Sequence, residues 1–449
     1  MALILAACAP PEEILPGDRF EVRQTAEAVE AFDPQASAPT EELPQRPTTI
    51  PARPYVVTGD PAPVALPTQR ANADWTHTRG TPSHRIQHPA LGASLTRVWS
   101  APIGTADTRR VRSNADPVVA GGRIYTLSAF SQLQATSLGG AALWSRDLTP
   151  VTENPGEAAG GGIAATATRL FVTTGYGNLH ALNAVSGAVL WTQRLDAVPN
   201  AGPTVSDGIV YVTTRASQAL AIDADTGRIL WQLAAGESGS FTADGASPAV
   251  AGRTVVFPFG SGDLIAALRL GGTRLWSTTV TGERVGRAYA QVGDITGDPV
   301  IDGGTAYVGT PTGRVAAIDV ETGNRIWTAS EGATSPVWPS GGAVFLVSDT
   351  RELVRLSASD GSVVWSGTLP FYQTETVRRR RGAFAHFGPV LAGGRLILTS
   401  TDGLLREIDP TTGALQRTID LGAPAVSGPV VAGRTLFVVT EDGVLHAFR

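Results

Sequence analysis

The chain has one cysteine, Cys8, so it can form no disulfide within itself, whatever compartment holds it. Charged residues are only 17% of its 449, and the net charge of -5 leaves no basic footprint for nucleic acid. No apolar run approaches the roughly 18 residues needed to span a bilayer. Aromatics are sparse at 6%, whereas Gly (51) and Pro (31) are plentiful. Low charge with abundant turn formers suits many short strands joined by tight turns. The length alone fits several domains, but closed β architectures run long as single ones.

The lone cysteine matters through its position. Leu5-Ala6-Ala7-Cys8 resembles the bacterial lipobox, whose small residues admit the signal peptidase and whose thiol receives a diacylglycerol. The basic and longer apolar regions of a secretory signal are missing, so the natural start is expected upstream, or the signal trimmed. Ala9 after the cysteine favours export to the outer membrane in the lipoproteins this segment resembles. Residues 9 to about 70 carry Pro at 34, 39, 44, 47, 51, 54, 61, 63 and 67 and read as a spacer with too little apolar surface to offset its ordering entropy. Residues 71–94 hold Trp75 with His77, His84 and His88. The spacing of these histidines matches no zinc pattern, and the segment reads as a strap across the body rather than a metal site.

Beyond the strap the dominant signal is a repeat. One copy runs from Gly202-Pro203 through Tyr211 and Ala221-Ile-Asp223 to Thr226-Gly227 and Trp231. The frame recurs from Pro299 to Trp327 and from Pro389 to Arg417. Its tryptophans are Trp99, Trp144, Trp191, Trp231, Trp276, Trp327 and Trp365, with Arg417 in the eighth place. The spacings of 45, 47, 40, 45, 51, 38 and 52 are blade-sized for a propeller. One tryptophan per unit indicates packing, not a cofactor box. The last unit, 428–449, lacks its Trp strand, and an orphan Trp strand stands at 95–101. Joining them predicts an all-β, eight-bladed β-propeller without open edges. A solenoid would need capping units instead.

The frame Ala221-x-Asp223-x-x-Thr226-Gly227-x-x-x-Trp231 resembles the quinoprotein-type propeller repeat, whose Trp packs on the neighbouring blade's Gly turn. With the lipobox, the Pro-rich tether and eight units, the chain resembles the BamB family of outer-membrane β-barrel assembly lipoproteins. That resemblance implies a non-catalytic scaffold without cofactor or metal. It would be anchored by lipid to the periplasmic side of the outer membrane, a monomer within a hetero-complex that docks on the periplasmic domains of BamA beside other assembly subunits. It further implies partner contacts: Asp294 matches the first acidic position of the family's contact stretch, and Thr296 stands at the second. The loop of the preceding blade nominates Phe241 and Asp244. The alternatives are a propeller binding another protein, a peptide or a glycan, and least favoured a quinoprotein dehydrogenase. Enzymes of that kind carry adjacent cysteines and a Glu/Asn/Asp calcium site with an Asp base, and this chain has no second cysteine.

Two basic runs, Arg109-Arg110-Val111-Arg112 and Arg378-Arg379-Arg380-Arg381, lie between the outer strand of one unit and the inner strand of the next. In a propeller all such connections emerge on one face, where the long loops 101–115, 147–162, 234–246, 279–297 and 367–388 would gather. Loops on a rigid scaffold are where binding concentrates, and these arginines suit anionic headgroups or acidic partner surfaces.

Overall fold

The structure, a computed structural model, describes residues 55–108, 111–112, 115–236, 245–282, 284, 293–374, 376 and 382–449. Each repeat is a four-stranded antiparallel sheet, and there are eight. Blades 1 to 7 cover 118–147, 161–194, 204–234, 249–279, 300–329, 338–368 and 386–420; blade 8 joins 430–448 to 97–102. The second strand of each blade lies between neighbouring sheets, so both faces are covered and its sequence is continuously apolar, as in Ile209–Thr213. The outer strand keeps one face in solvent and alternates instead, as in Ile229–Ala234.

A register shift in the outer strand sets the tryptophan. In blade 3, Trp231 pairs with Ala221 but Ile229 pairs with Ile222, so Leu230 is the extra residue of a bulge. The same shift recurs in blades 1, 2, 4, 5, 6, 7 and 8. It turns the residue before the tryptophan outward, which is why Val98, Leu143, Leu190, Leu230, Leu275 and Ile326 are 37–51% exposed. The indole meanwhile closes over the glycine of the next blade's last turn. Trp99 covers Gly140, Trp144 Gly187, Trp191 Gly227, Trp231 Gly272, Trp276 Gly323, Trp327 Gly361 and Trp365 Gly413. Each Nε1–H donates to a carbonyl of that neighbour, as Trp191 does to Ala224 at 3.1 Å.

The eighth place explains itself. Blade 8 is built from both chain ends, so it has no such glycine turn to cover. Arg417 stands there and donates from Nη2 to the Leu95 carbonyl at 3.2 Å. At Gly227, φ is +75° and an added Cβ would fall 2.8 Å from the Trp191 ring. Gly227→Ala therefore combines left-handed strain with overpacking, and thermal melts should show a loss of about 2–5 kcal/mol.

Closure is antiparallel: Arg97–Pro102 pairs with Val444–Phe448, placing Trp99 opposite Ala447 and Ala101 opposite Leu445. The spacer drawn to about residue 70 is too long. Val57–Gly59 adds a fifth strand to the outer edge of blade 6, pairing with Val363–Thr368. Tyr55 donates its hydroxyl to the Gly413 carbonyl at 2.7 Å, and Arg355 holds the Pro63 carbonyl at 2.9 Å. Proline richness leaves this stretch no core of its own, but the edge and seam of blades 6 and 7 supply one.

Candidate docking face

The two ends of the propeller differ in what closes them. The tight turns lie at one end, and there residues 72–90 run across the axis bonded to every blade. Asn72 donates to the Val431 carbonyl of blade 8 at 2.7 Å. Trp75 exchanges backbone bonds with Val119 of blade 1, and Thr76 accepts from Ala165 of blade 2. His77 accepts from Val205 N–H of blade 3 at 3.1 Å. The Pro82 and Ser83 carbonyls accept from Val250 and Ile301 of blades 4 and 5. Arg79 reaches the Pro336 carbonyl of blade 6, and His88 accepts from Gly394 N–H of blade 7 at 2.8 Å. Trp75 stacks on Trp338 with ring centroids 6.4 Å apart.

These contacts define the histidines. His77 Nε2 and His88 Nε2 accept backbone N–H groups, so their protons sit on Nδ1, bonded to Thr76 Oγ1 and the Pro67 carbonyl. His84 Nδ1 faces the Pro299 carbonyl at 2.8 Å and carries its proton likewise. The rings bind strap to blades; among the described residues no three His, Cys, Asp or Glu side chains converge as a metal site.

The opposite end carries the long loops. Arg284, in the connection from blade 4 to blade 5, spans to blade 6: its Nη2 and Nε lie 2.8 and 2.7 Å from the two oxygens of Asp349. It also holds the Ser330 carbonyl at 3.2 Å, while Gly282 N–H bonds Thr312 Oγ1 at 2.9 Å. Between blades 6 and 7, Phe371–Gln373 pairs back onto 382–384. Arg351 sits 5.5 Å over the Phe371 ring, Phe371 packs on Tyr372 at 4.5 Å, and Tyr372 is 40% exposed.

Of the residues nominated from sequence, Asp294 is 3% exposed, so its carboxylate is enclosed rather than presented. Thr296 is half-buried with an enclosed hydroxyl, and Ile295 between them is buried. A carboxylate read as a surface contact is thus part of the loop's interior. Arg112 is exposed on this face. Cys8, Arg109, Arg110, Phe241, Asp244 and the run Arg378 to Arg381 lie outside the described residues. Sequence reasoning missed Arg284 with Asp349, whose partnership crosses three blades and leaves no local signal. The adjacent aromatics Phe371-Tyr372 inside a long loop did offer one.

Comparison with known proteins places this architecture. The family described as outer membrane protein assembly factor BamB matches residues 129–367 and 374–449, well over half of the chain. The chain belongs to the BamB family. The BamB protein of Yersinia pestis is 24% identical over 345 residues, 74% of this chain and 85% of its own length. That of Shewanella oneidensis is 25% identical, covering 71% of this chain and 79% of its own. Among solved structures, BamB from Moraxella catarrhalis superposes with a TM-score of 0.65 at 20% identity, covering 79% of this chain and all of that one. A europium-containing methanol dehydrogenase shares the fold at a TM-score of 0.64 and 14% identity, over 84% and 98% of the two chains. Dehydrogenase chemistry does not follow from that likeness, because fold does not imply function. Here the carboxylates Asp116 and Asp298, just before the inner strands of blades 1 and 5, accept the backbone N–H groups of Gly428 and Ser247.

Proposed function

We propose that this BamB-family chain is a non-catalytic scaffold of outer-membrane β-barrel assembly, docking through its long-loop face on the periplasmic domains of BamA. The observation carrying the reading is the asymmetry of the ends: the strap occupies the tight-turn end across all eight blades, while the loop end presents clamped loops and the exposed Tyr372 and Arg112. Phe241 and Asp244 belong to the same set of loops by sequence. Asp294 and Thr296 shape their loop from inside, so Asp294→Arg would bury a charge and report on folding rather than docking.

A cleaner test places substitutions on exposed side chains. Tyr372→Asp combined with Arg112→Glu should weaken association with BamA periplasmic domains at least about tenfold by calorimetry, about 1.4 kcal/mol, with the melting curve little changed. Glu321→Arg, in an exposed tight turn at the other end, should leave affinity intact. Equal binding by both variants would remove the loop face from the interface.

The anchor is proposed to be a lipid on Cys8, with other assembly subunits joining the complex around BamA. The arginines Arg109, Arg110, Arg112 and Arg378 to Arg381 would face anionic headgroups or acidic partner surfaces. Cys8→Ala, expressed behind a complete signal peptide, should move the protein from the outer-membrane to the soluble periplasmic fraction in cells lacking BamA. Retention in the membrane would rule the lipid out.

A further inference from the structure

The strap does more than cross the axis: it sends one cation into it. Thr78–Gly80 forms a single helical turn in which Arg79 has φ 57°, ψ 20°, a left-handed conformation that side chains other than glycine rarely adopt. A glycine would make that bend without strain, so the strained arginine points to a task for its side chain. Arg79 is almost wholly buried. Its Nη1 donates to the Pro389 carbonyl and its Nη2 to the Pro336 carbonyl, both at 3.2 Å. Pro389 lies within the inner strand His386–Ala392 of blade 7 where its pairing shifts register, and Pro336 stands two residues before the inner strand Trp338–Ser340 of blade 6; neither has an N–H that would face the axis unsatisfied.

Two carboxylates from other blades complete the surroundings. Asp116 and Asp298 precede the prolines of blades 1 and 5. Asp116 is fixed by Gly428 N–H at 2.8 Å, and Asp298 by Ser247 N–H at 2.5 Å and by the Thr78 hydroxyl. Burial raises the pKa of both, and Arg79 holds both down. The other titratable groups facing this centre are His77 and His84, both neutral and tied to backbone. A planar fork whose two Nη groups each bond a carbonyl, with two buried carboxylates acting on its charge through space, is a setting a guanidinium fills and a point-charge ammonium does not.

We propose that the propeller axis is a guanidinium-binding site, occupied in this chain by its own Arg79. The strap then acts as a tethered ligand of the ring of blades, and without that side chain the axis accepts a free guanidinium ion in its place.

The test is chemical rescue. Arg79→Ala should lower the Tm by several degrees. Guanidinium at low, non-denaturing concentration should restore at least half of that loss, saturably, while leaving wild-type protein unaffected. Methylammonium should restore little. Removing Arg79 lets the carboxylates hold protons more strongly, and binding a cation expels them, so rescue should strengthen as pH rises from 5 to 8. If Arg79→Ala accumulates only as aggregate, refolding yield with and without guanidinium replaces the melt. As an independent check, Arg79→Gln and Asp298→Asn should be non-additive in Tm. Absent rescue, equal rescue by methylammonium, or strictly additive variants would each overturn the site.

Discussion

Deleting residues 444–449 is expected to leave the chain insoluble. The strand Val444–Phe448 pairs on one side with Thr435–Thr440 and on the other with Arg97–Pro102, so its loss opens two edges at once. Leu445, Ala447 and Phe448 are buried in the cluster shared with blade 7 and the strap, and burying a leucine or phenylalanine contributes about 1.5–3 kcal/mol each. The Arg449 backbone, bonded to Thr96 in both directions, goes with them. The loss exceeds the roughly 5–15 kcal/mol that holds a typical domain together. Solubility and a cooperative melt compared with the full chain decide the matter. A soluble, cooperatively folding deletion would mean that the ends do not hold the ring shut.

The eight blades were legible because each repeat carries two residues with incompatible alternatives. A glycine at positive φ and a tryptophan one blade away satisfy each other, and the pair recurs at a fixed offset, so periodicity reveals it without tertiary information. The missing eighth tryptophan was legible as a gap, and its cause, a turn split between the chain ends, follows from closure. The strand Val57–Gly59 was not legible. Three residues in a proline-rich stretch carry no period of their own, and what orders them is the free edge of blade 6, some 300 residues away in sequence. Local composition reports whether a segment can bury itself, not whether another element will bury it.

The site was legible only by topology. Alternation of turns and loops gave the two ends, and a basic run could be assigned to one of them. Exposure could not be assigned: Asp294 sits in a long loop yet is enclosed, as is Ile295 beside it. The axial centre was invisible for a related reason. Arg79, Asp116 and Asp298 come from a strap and two distant blades, and each alone reads as a solvated charge or a turn residue. Only the ring places them together. The part played by His77 and His88 in accepting backbone N–H groups of blades 3 and 7 left no signal in their spacing, because the donors lie more than a hundred residues away.

Acid should destabilise this fold steeply, through histidines that are buried neutral. Desolvation lowers His77 from the ordinary 6.5 to about 3, His180 to about 4 and His386 to about 4, and it lowers His84 and His446 as well. Geometry agrees: His77 Nε2 accepts the Val205 N–H, and His386 donates from Nε2 to the Pro370 carbonyl while Nδ1 faces the Ser400 hydroxyl. Protonating either ring would force a donor against a donor or lose an acceptor. The unfolded chain takes up protons near 6.5 and the folded chain does not until near 4, so the unfolded state binds more protons in that window. Stability is therefore complete above 6.5 and falls as the pH drops toward 4, by about 1.4 kcal/mol per pH unit for each fully titrating ring. The axial carboxylates Asp116 and Asp298, raised by burial, oppose this by holding protons better when folded. A difference measurement removes them. His180 and His386 have neither axial carboxylate among the groups acting on them, so His180→Gln with His386→Gln should flatten the dependence by about 2 kcal/mol per pH unit between 6 and 4.5. Chemical denaturation at several pH values gives both slopes. Parallel slopes for the double variant and the natural chain would show that these rings do not drive the acid response.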